Sequence, residues 1–110
     1  MGQYFVVVNL DRREFLRFGA GKLREIVGCR DFGVLGYLLA TDNVDGTVVG
    51  FMDEWEWFGR WCGDRIALVG DYAEDAKNFM KVGVSYEDVL EGFRDISDEV
   101  LREFYRFLSV

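Results

Sequence analysis

The chain has 110 residues, of which 50% are hydrophobic and 30% charged, and its formal net charge is −7. A chain of this length can bury a core without disulfides or metal ions. Its composition excludes an intrinsically disordered protein and a membrane-spanning one, and its acidity disfavours binding to nucleic acids. We therefore expect one soluble globular domain over residues 1–110, without membrane association.

Missing residue types narrow the possible chemistry further. The chain has no histidine, which removes Ser-His and Cys-His nucleophilic pairs and histidine-ligated metals. Cys29 and Cys62 lack CxxC spacing, which is typical of reduced, buried thiols in a cytoplasmic protein rather than of a disulfide framework or a zinc site. We expect no cofactor, and an enzymatic role is disfavoured. Few amide side chains beside many Glu and Arg favour a thermophilic source, although the lack of proline points the other way.

The first elements read as a hairpin followed by two helical segments. The apolar run 4–10 predicts a central strand that is covered on both faces, residues 11–13 a turn, and residues 14–18 a second, more polar strand. Residues 22–27 predict one or two helical turns. Asp31 is the predicted N-cap of a buried helix over residues 32–40.

The second half of the chain ends in the clearest helix. Loop residues 41–46 precede a short strand over 47–52, and residues 65–69 predict a firmer strand. Ser85 is expected to cap a helix over 86–91, and apolar residues from Ile96 to Leu108 recur at helical spacing. These elements predict a single small α+β domain, with a mainly antiparallel sheet that contains an N-terminal hairpin and packs against two or three helices, including an amphipathic C-terminal helix.

The stretch 57–72, WFGRWCGDRIALVGDY, is the most distinctive part of the sequence. Arginine beside tryptophan suits stacking and bidentate anion binding. The predicted ligand or partner site comprises Trp57, Arg60, Trp61, Asp64, Arg65, Asp71 and Tyr72. The favoured alternative is structural: the rings of Trp57 and Trp61 fill the core, while Arg60–Asp64 or Arg65–Asp71 pairs lock the loops. Asp64 and Asp71 flank one predicted strand, about 23 Å apart if it is extended, so they cannot share one metal ion.

Several short motifs together resemble one protein family. They are MGQY at 1–4, VNLD at 8–11, GKL at 21–23, GRWCGDRI at 59–66, VGDY at 69–72 and DIS at 95–97. They are similar to a family of small uncharacterised proteins from bacteria, archaea and their mobile elements, which begin MGQY and carry a W-x-G-D-R-I…GDYA block. The resemblance implies no mechanism. This chain has Leu16-Arg-Phe18 where relatives often carry a Pro-His pair, which further disfavours an enzyme.

Three functions remain open at this point. The first is a binding module with a link to a mobile element, whose 57–72 surface receives an unidentified protein, a peptide or a small anionic ligand. The second is an Mg²⁺-dependent enzyme acting on a phosphorylated small molecule or nucleotide, with Asp71 as general base or metal ligand, Asp11 as second ligand, and Arg60 or Arg65 holding the phosphate. The third is a structural subunit of a homo-oligomer, such as a homodimer.

Overall fold

A computed structural model describes residues 3–19, 21–41, 55–72 and 79–109. Within these ranges four strands form one sheet in the order β3-β1-β2-β4. The strands are β1 (Phe5–Asn9), β2 (Glu14–Leu16), β3 (Ile66–Gly70) and β4 (Arg94–Asp95). β1 pairs antiparallel with both β2 and β3, whereas β2 pairs parallel with β4. The fold is α+β, as the sequence predicts.

A tight turn built on Asn9 joins β1 to β2. The Asn9 side-chain oxygen accepts hydrogen bonds from the backbone N–H groups of Asp11 and Arg12, at 2.9 and 2.8 Å. Arg13 then takes a left-handed conformation with φ of 58°, and its N–H donates to the Asn9 carbonyl at 3.0 Å. The predicted hairpin is thereby confirmed. Its second strand is buried over its whole length, including Glu14, although its composition reads as more polar.

Both faces of the sheet are covered, as the continuous apolarity of β1 predicts. Val6 and Val8 belong to one core cluster together with Val89 and Phe93, on or just after helix α4 (Tyr86–Gly92). Val7 belongs to a second, larger cluster. The other buried members of that cluster are Leu16, Phe18, Ile26, Val34, Tyr37, Leu38, Trp55, Trp57, Trp61, Ile96, Val100 and Phe104. Since successive side chains of a strand point to opposite faces, β1 is the central element of a three-layer arrangement.

The helical region after β2 differs from its prediction in one respect. Helix α1 spans Leu23–Val27, a 3₁₀-helix spans Arg30–Gly33, and α2 spans Val34–Leu39. The prediction of Asp31 as N-cap is wrong, because the Cys29 sulfur accepts from the Asp31 N–H at 3.3 Å and caps the 3₁₀-helix instead. The prediction that this helix is buried all round is also wrong, since Leu39 is 40% exposed.

The C-terminal helices agree with their sequence signals. Ser85 caps α4 in a capping box: its side chain accepts from the Asp88 N–H, and the Asp88 carboxylate accepts from the Ser85 N–H, both at 3.1 Å. The hydrogen bond from the Ser85 N–H, followed by that from the Ser85 hydroxyl, lowers the pKa of the exposed Asp88 carboxyl. Helix α5 (Ser97–Leu108) buries Val100 and Phe104 on its apolar face. A four-residue helix, α3, spans Phe79–Val82.

The strand predicted at 47–52 and all but the first residue of the loop predicted at 41–46 lie outside the described residues. Among the residues that are described, no helix is long and apolar enough to cross a bilayer.

Candidate functional site

A series of turns over residues 55–64 lies against the C-terminal end of α2. The last carbonyls of a helix lack intrahelical partners. Here the Gly59 N–H donates to the Tyr37 carbonyl and the Trp61 N–H to the Leu38 carbonyl, both at 3.0 Å. Gly59 has a φ of +68°, and a side-chain carbon there would lie 2.7 Å from the Ala40 carbonyl oxygen. The close approach to α2 therefore requires glycine at this position.

Two of the predicted site tryptophans are core residues. Trp57 is 3% exposed and Trp61 is fully buried, and both belong to the larger core cluster. The indole N–H of Trp61 donates to Glu14 Oε1 at 2.9 Å. The ring of Trp57 is covered by the guanidinium groups of Arg60 and Arg94, which lie 4.9 and 5.5 Å from its centroid. For these two rings the structural alternative from the sequence is confirmed.

Arg60 is engaged inside the protein by a carboxylate that the sequence reasoning missed. Its Nη2 donates to Glu14 Oε2 at 2.6 Å, and its Nε lies 3.1 and 3.2 Å from the two carboxylate oxygens. Burial opposes ionisation of Glu14, but hydrogen bonds from Arg60 and Trp61 outweigh it and keep the pKa of that carboxyl below its usual range. The bond to Glu14 likewise raises the pKa of Arg60. We call Glu14, Arg60 and Trp61 the Glu14 lock.

The predicted ion pairs of residues 60–71 form with other partners. Asp64 Oδ2 accepts from Arg12 Nε at 3.0 Å and from Asn9 Nδ2 at 2.8 Å, so Asp64 is bound to the β1–β2 turn and not to Arg60. Asp11 accepts from the backbone N–H and from Nε of Arg65, at 2.8 and 2.9 Å. The backbone bond, followed by the side-chain bond, lowers the pKa of the Asp11 carboxyl. Arg65 therefore pairs with Asp11, which corrects the predicted pair with Asp71.

Asp71 and Tyr72 lie at the opposite end of the sheet. The Asp71 N–H donates to the Tyr4 carbonyl at 2.8 Å, and its Oδ1 accepts from the Tyr4 N–H at 3.2 Å. Asn9 pairs with Ile66 and Phe5 with Gly70, so the ends of this ladder are four residues, or about 13 Å, apart. Asp11 lies beyond one end and Asp71 beyond the other, and the two cannot ligate one metal ion. The described residues contain no group of three or more acidic or cysteine side chains arranged for a metal ion.

A polar groove lies where the 55–64 turns meet α5. It has a volume of about 330 Å³. The described residues that line it are Glu56, Trp57, Glu99, Arg102, Glu103 and Arg106. Of the residues predicted for the site, only Trp57 contributes to it. The remaining lining residues were not predicted, although Glu99, Arg102, Glu103 and Arg106 recur at i, i+3, i+4 and i+7, the spacing of a single helix face.

Glu103 fixes the groove wall. Its Oε2 accepts from the backbone N–H of Trp57 at 2.8 Å and from the hydroxyl of Tyr37. Burial, the hydrogen bond to Glu103 and the charge of that carboxylate raise the pKa of Tyr37 above its ordinary value, so the phenol stays a neutral donor at neutral pH. This arrangement joins α2, the 55–64 turns and α5 at one carboxylate.

Several charged groups of the groove have hydrogen-bonding capacity left. Glu99 accepts a hydrogen bond from Arg94 at 2.8 Å. The guanidinium group of Arg106 lies over the Trp55 ring, 4.6 Å from the ring centroid. Arg102 and Glu56 are both exposed, and neither makes an ion pair or side-chain hydrogen bond with the described residues.

Models of protein families, curated proteins and solved structures give no match to this chain. The chemistry of the groove therefore has to be derived from its own side chains.

Proposed function

We propose that the protein is a binding module and that its ligand-contact surface is the groove between the 55–64 turns and α5. The observation that supports this proposal most strongly is that Arg102 and Glu56 line one groove and that neither makes an ion pair or a side-chain hydrogen bond with the described residues. Surface charges on a helix that only maintain solubility do not require a concave setting. Ligand sites, in contrast, are concave and combine a few convergent polar groups.

The distinctive stretch 57–72 supports binding indirectly. Its polar groups are satisfied within the protein: Arg60 by Glu14, Asp64 by Asn9 and Arg12, and Arg65 by Asp11. A ligand that bound Arg60 would have to displace its hydrogen bonds to the buried Glu14 carboxylate, and hydrogen bonds to charged groups contribute about 1.5–3 kcal/mol each. The stretch is better suited to hold Trp57 and Glu56 in place beside α5.

The groove suits binding better than catalysis. Its ionisable groups are carboxylates and guanidinium groups, and guanidinium is protonated at any working pH. Glu103, the carboxylate best placed as a general base, is already an acceptor for Trp57 and Tyr37. The same groups suit salt-bridge and hydrogen-bond recognition of a polar ligand.

Backbone NMR of the ¹⁵N-labelled protein with a fragment library tests this proposal. The library should contain anionic, cationic, zwitterionic and neutral compounds of similar size. We expect at least one compound to shift the amide signals of Glu56, Trp57 and the 99–106 segment while leaving those of α4, on the other side of the sheet, unchanged. Arg102→Gln should weaken that binding, whereas Arg24→Gln, at an exposed arginine on α1 outside the groove lining, should not.

Two outcomes would contradict the proposal. One is that no compound of any charge class shifts the groove signals. The other is that compounds bind but shift signals elsewhere, for example around Tyr4 and Tyr72, which are 43% and 50% exposed at the far end of the sheet.

A further inference from the structure

The charged side chains that line the groove indicate the charges that its ligand carries. Among the described residues, three carboxylates and two guanidinium groups line it. A purely anionic ligand would approach Arg102 against repulsion from Glu56, Glu99 and Glu103, and a purely cationic one would meet two guanidinium groups. Like charges placed together across an interface cost affinity and exclude wrong partners. A ligand with one positive and one negative group can place each group beside side chains of the opposite charge, and so avoids both repulsions.

The hydrogen-bonding capacity of the lining is divided in the same way. Arg102 offers guanidinium donors that no described residue uses, and Glu56 offers carboxylate acceptors. Glu103 Oε2 accepts hydrogen bonds from the Trp57 N–H and the Tyr37 hydroxyl, whereas its Oε1 accepts none from the described residues. Donors for an anionic group and acceptors for a cationic group are thus present in one cavity.

We infer that the groove selects small zwitterions, with Arg102 binding the carboxylate of the ligand and Glu56, together with Oε1 of Glu103, binding its ammonium or guanidinium group. The inference rests on the proposed binding function and adds the ligand class to it. A volume of about 330 Å³ is at the small end of the range for ligand pockets, which fits a molecule of amino-acid or dipeptide size.

The test uses a series of ω-amino acids: glycine, β-alanine, 4-aminobutyrate and 6-aminohexanoate. The chain length varies the separation of the two charges, and the matched controls are the carboxylic acid and the amine with the same number of carbons, from acetate and ethylamine to hexanoate and hexylamine. Dissociation constants come from amide shifts of Trp57 and the 99–106 segment at pH 7. We expect at least one ω-amino acid to bind tenfold or more tightly than the acid and the amine of matching length.

The variants separate the two ends of the ligand. Arg102→Gln should weaken the best ω-amino acid and the matching acid by tenfold or more while leaving the amine unchanged. Glu56→Gln should weaken the ω-amino acid and the amine and spare the acid. Both positions are exposed, so an unchanged unfolding midpoint can confirm that each variant is folded.

The possible failures are distinguishable. If acids or amines shift the groove signals as strongly as the ω-amino acid, or if only singly charged compounds bind there, the zwitterion inference is overturned and the binding function stands. The same holds if the ω-amino acids do not bind while other members of the fragment library do. If no compound in either set reaches the groove signals, the binding function itself is overturned.

Discussion

Glu14→Gln should destabilise the protein far more than the loss of an exposed charge. The glutamine keeps the shape of the side chain and leaves an oxygen to accept the Trp61 indole N–H, but it removes the charge that binds Arg60 and turns an amide N–H₂ toward the guanidinium. Hydrogen bonds between charged groups contribute about 1.5–3 kcal/mol each. The Arg60 side chain is 29% exposed and can regain some water. We therefore expect a loss of about 2–3 kcal/mol in the free energy of unfolding, or roughly 8–12 °C in Tm for a chain of this size.

Urea unfolding followed by tryptophan fluorescence and circular dichroism measures this loss at pH 7. Arg17→Gln is the matched control, because Arg17 pairs with Asp95 across 3.8 Å with both side chains about half exposed. Such surface pairs contribute less than about 1 kcal/mol. If Glu14→Gln costs no more than Arg17→Gln, the Glu14 lock does not hold the 55–64 turns to the sheet.

The same comparison has a defined pH dependence. Because the pKa of Glu14 in the folded protein lies below its unfolded value of about 4.3, its stabilising effect is complete above that pH and is lost as the pH falls through the folded pKa. The difference in unfolding free energy between wild type and Glu14→Gln should be constant near neutrality and should shrink below about pH 4. A difference that stays constant down to pH 3 would contradict the assigned pKa shift.

Two further substitutions test the local structure. Gly59→Ala should lose more than about 2 kcal/mol, because the methyl group would meet the Ala40 carbonyl oxygen at 2.7 Å in addition to the strain of φ +68°. Gly63→Ala is its control, since Gly63 has a φ of +80° but open space around the added carbon, and should lose about 1 kcal/mol; equal losses would remove the argument from close packing. Ser85→Ala should lose about 1 kcal/mol by removing the side-chain acceptor of the Asp88 N–H, and a neutral result in thermal unfolding would mean that the capping box does not stabilise α4.

The sequence predicted those helices, strands and caps that are determined by residues close together in the chain. The β1–β2 hairpin follows from an apolar run and a turn only a few residues long, and the α4 cap follows from one serine before two acids. The Cys29 cap was missed because sulfur is a weak acceptor that is rarely expected in that role. β4 was missed because two residues carry no periodicity, and its pairing is decided by contacts with β2.

The arrangement of the site was not predictable in the same way, because its partners are far apart in sequence. Arg60 and Glu14 are separated by 46 positions. One signal was present: Glu14 and Leu16 lie two residues apart on one short strand and so share a face. A leucine that faces the core places that glutamate in the core as well, where a carboxylate requires a charged partner. That reasoning identifies the need for a partner but cannot choose among thirteen lysines and arginines.

Arg60, Trp57 and Trp61 of the 57–72 stretch therefore shape the groove through their contacts with other residues. The Glu14 lock fixes Arg60 and Trp61 on the sheet, Arg60 covers the ring of Trp57, and the Trp57 N–H holds Glu103 on α5. Each step is an observed contact, and the last one forms a wall of the groove. Weakening the lock should therefore lower groove affinity together with stability, whereas Arg102→Gln should lower affinity alone. The two effects separate the residues that build the groove from those that meet its ligand.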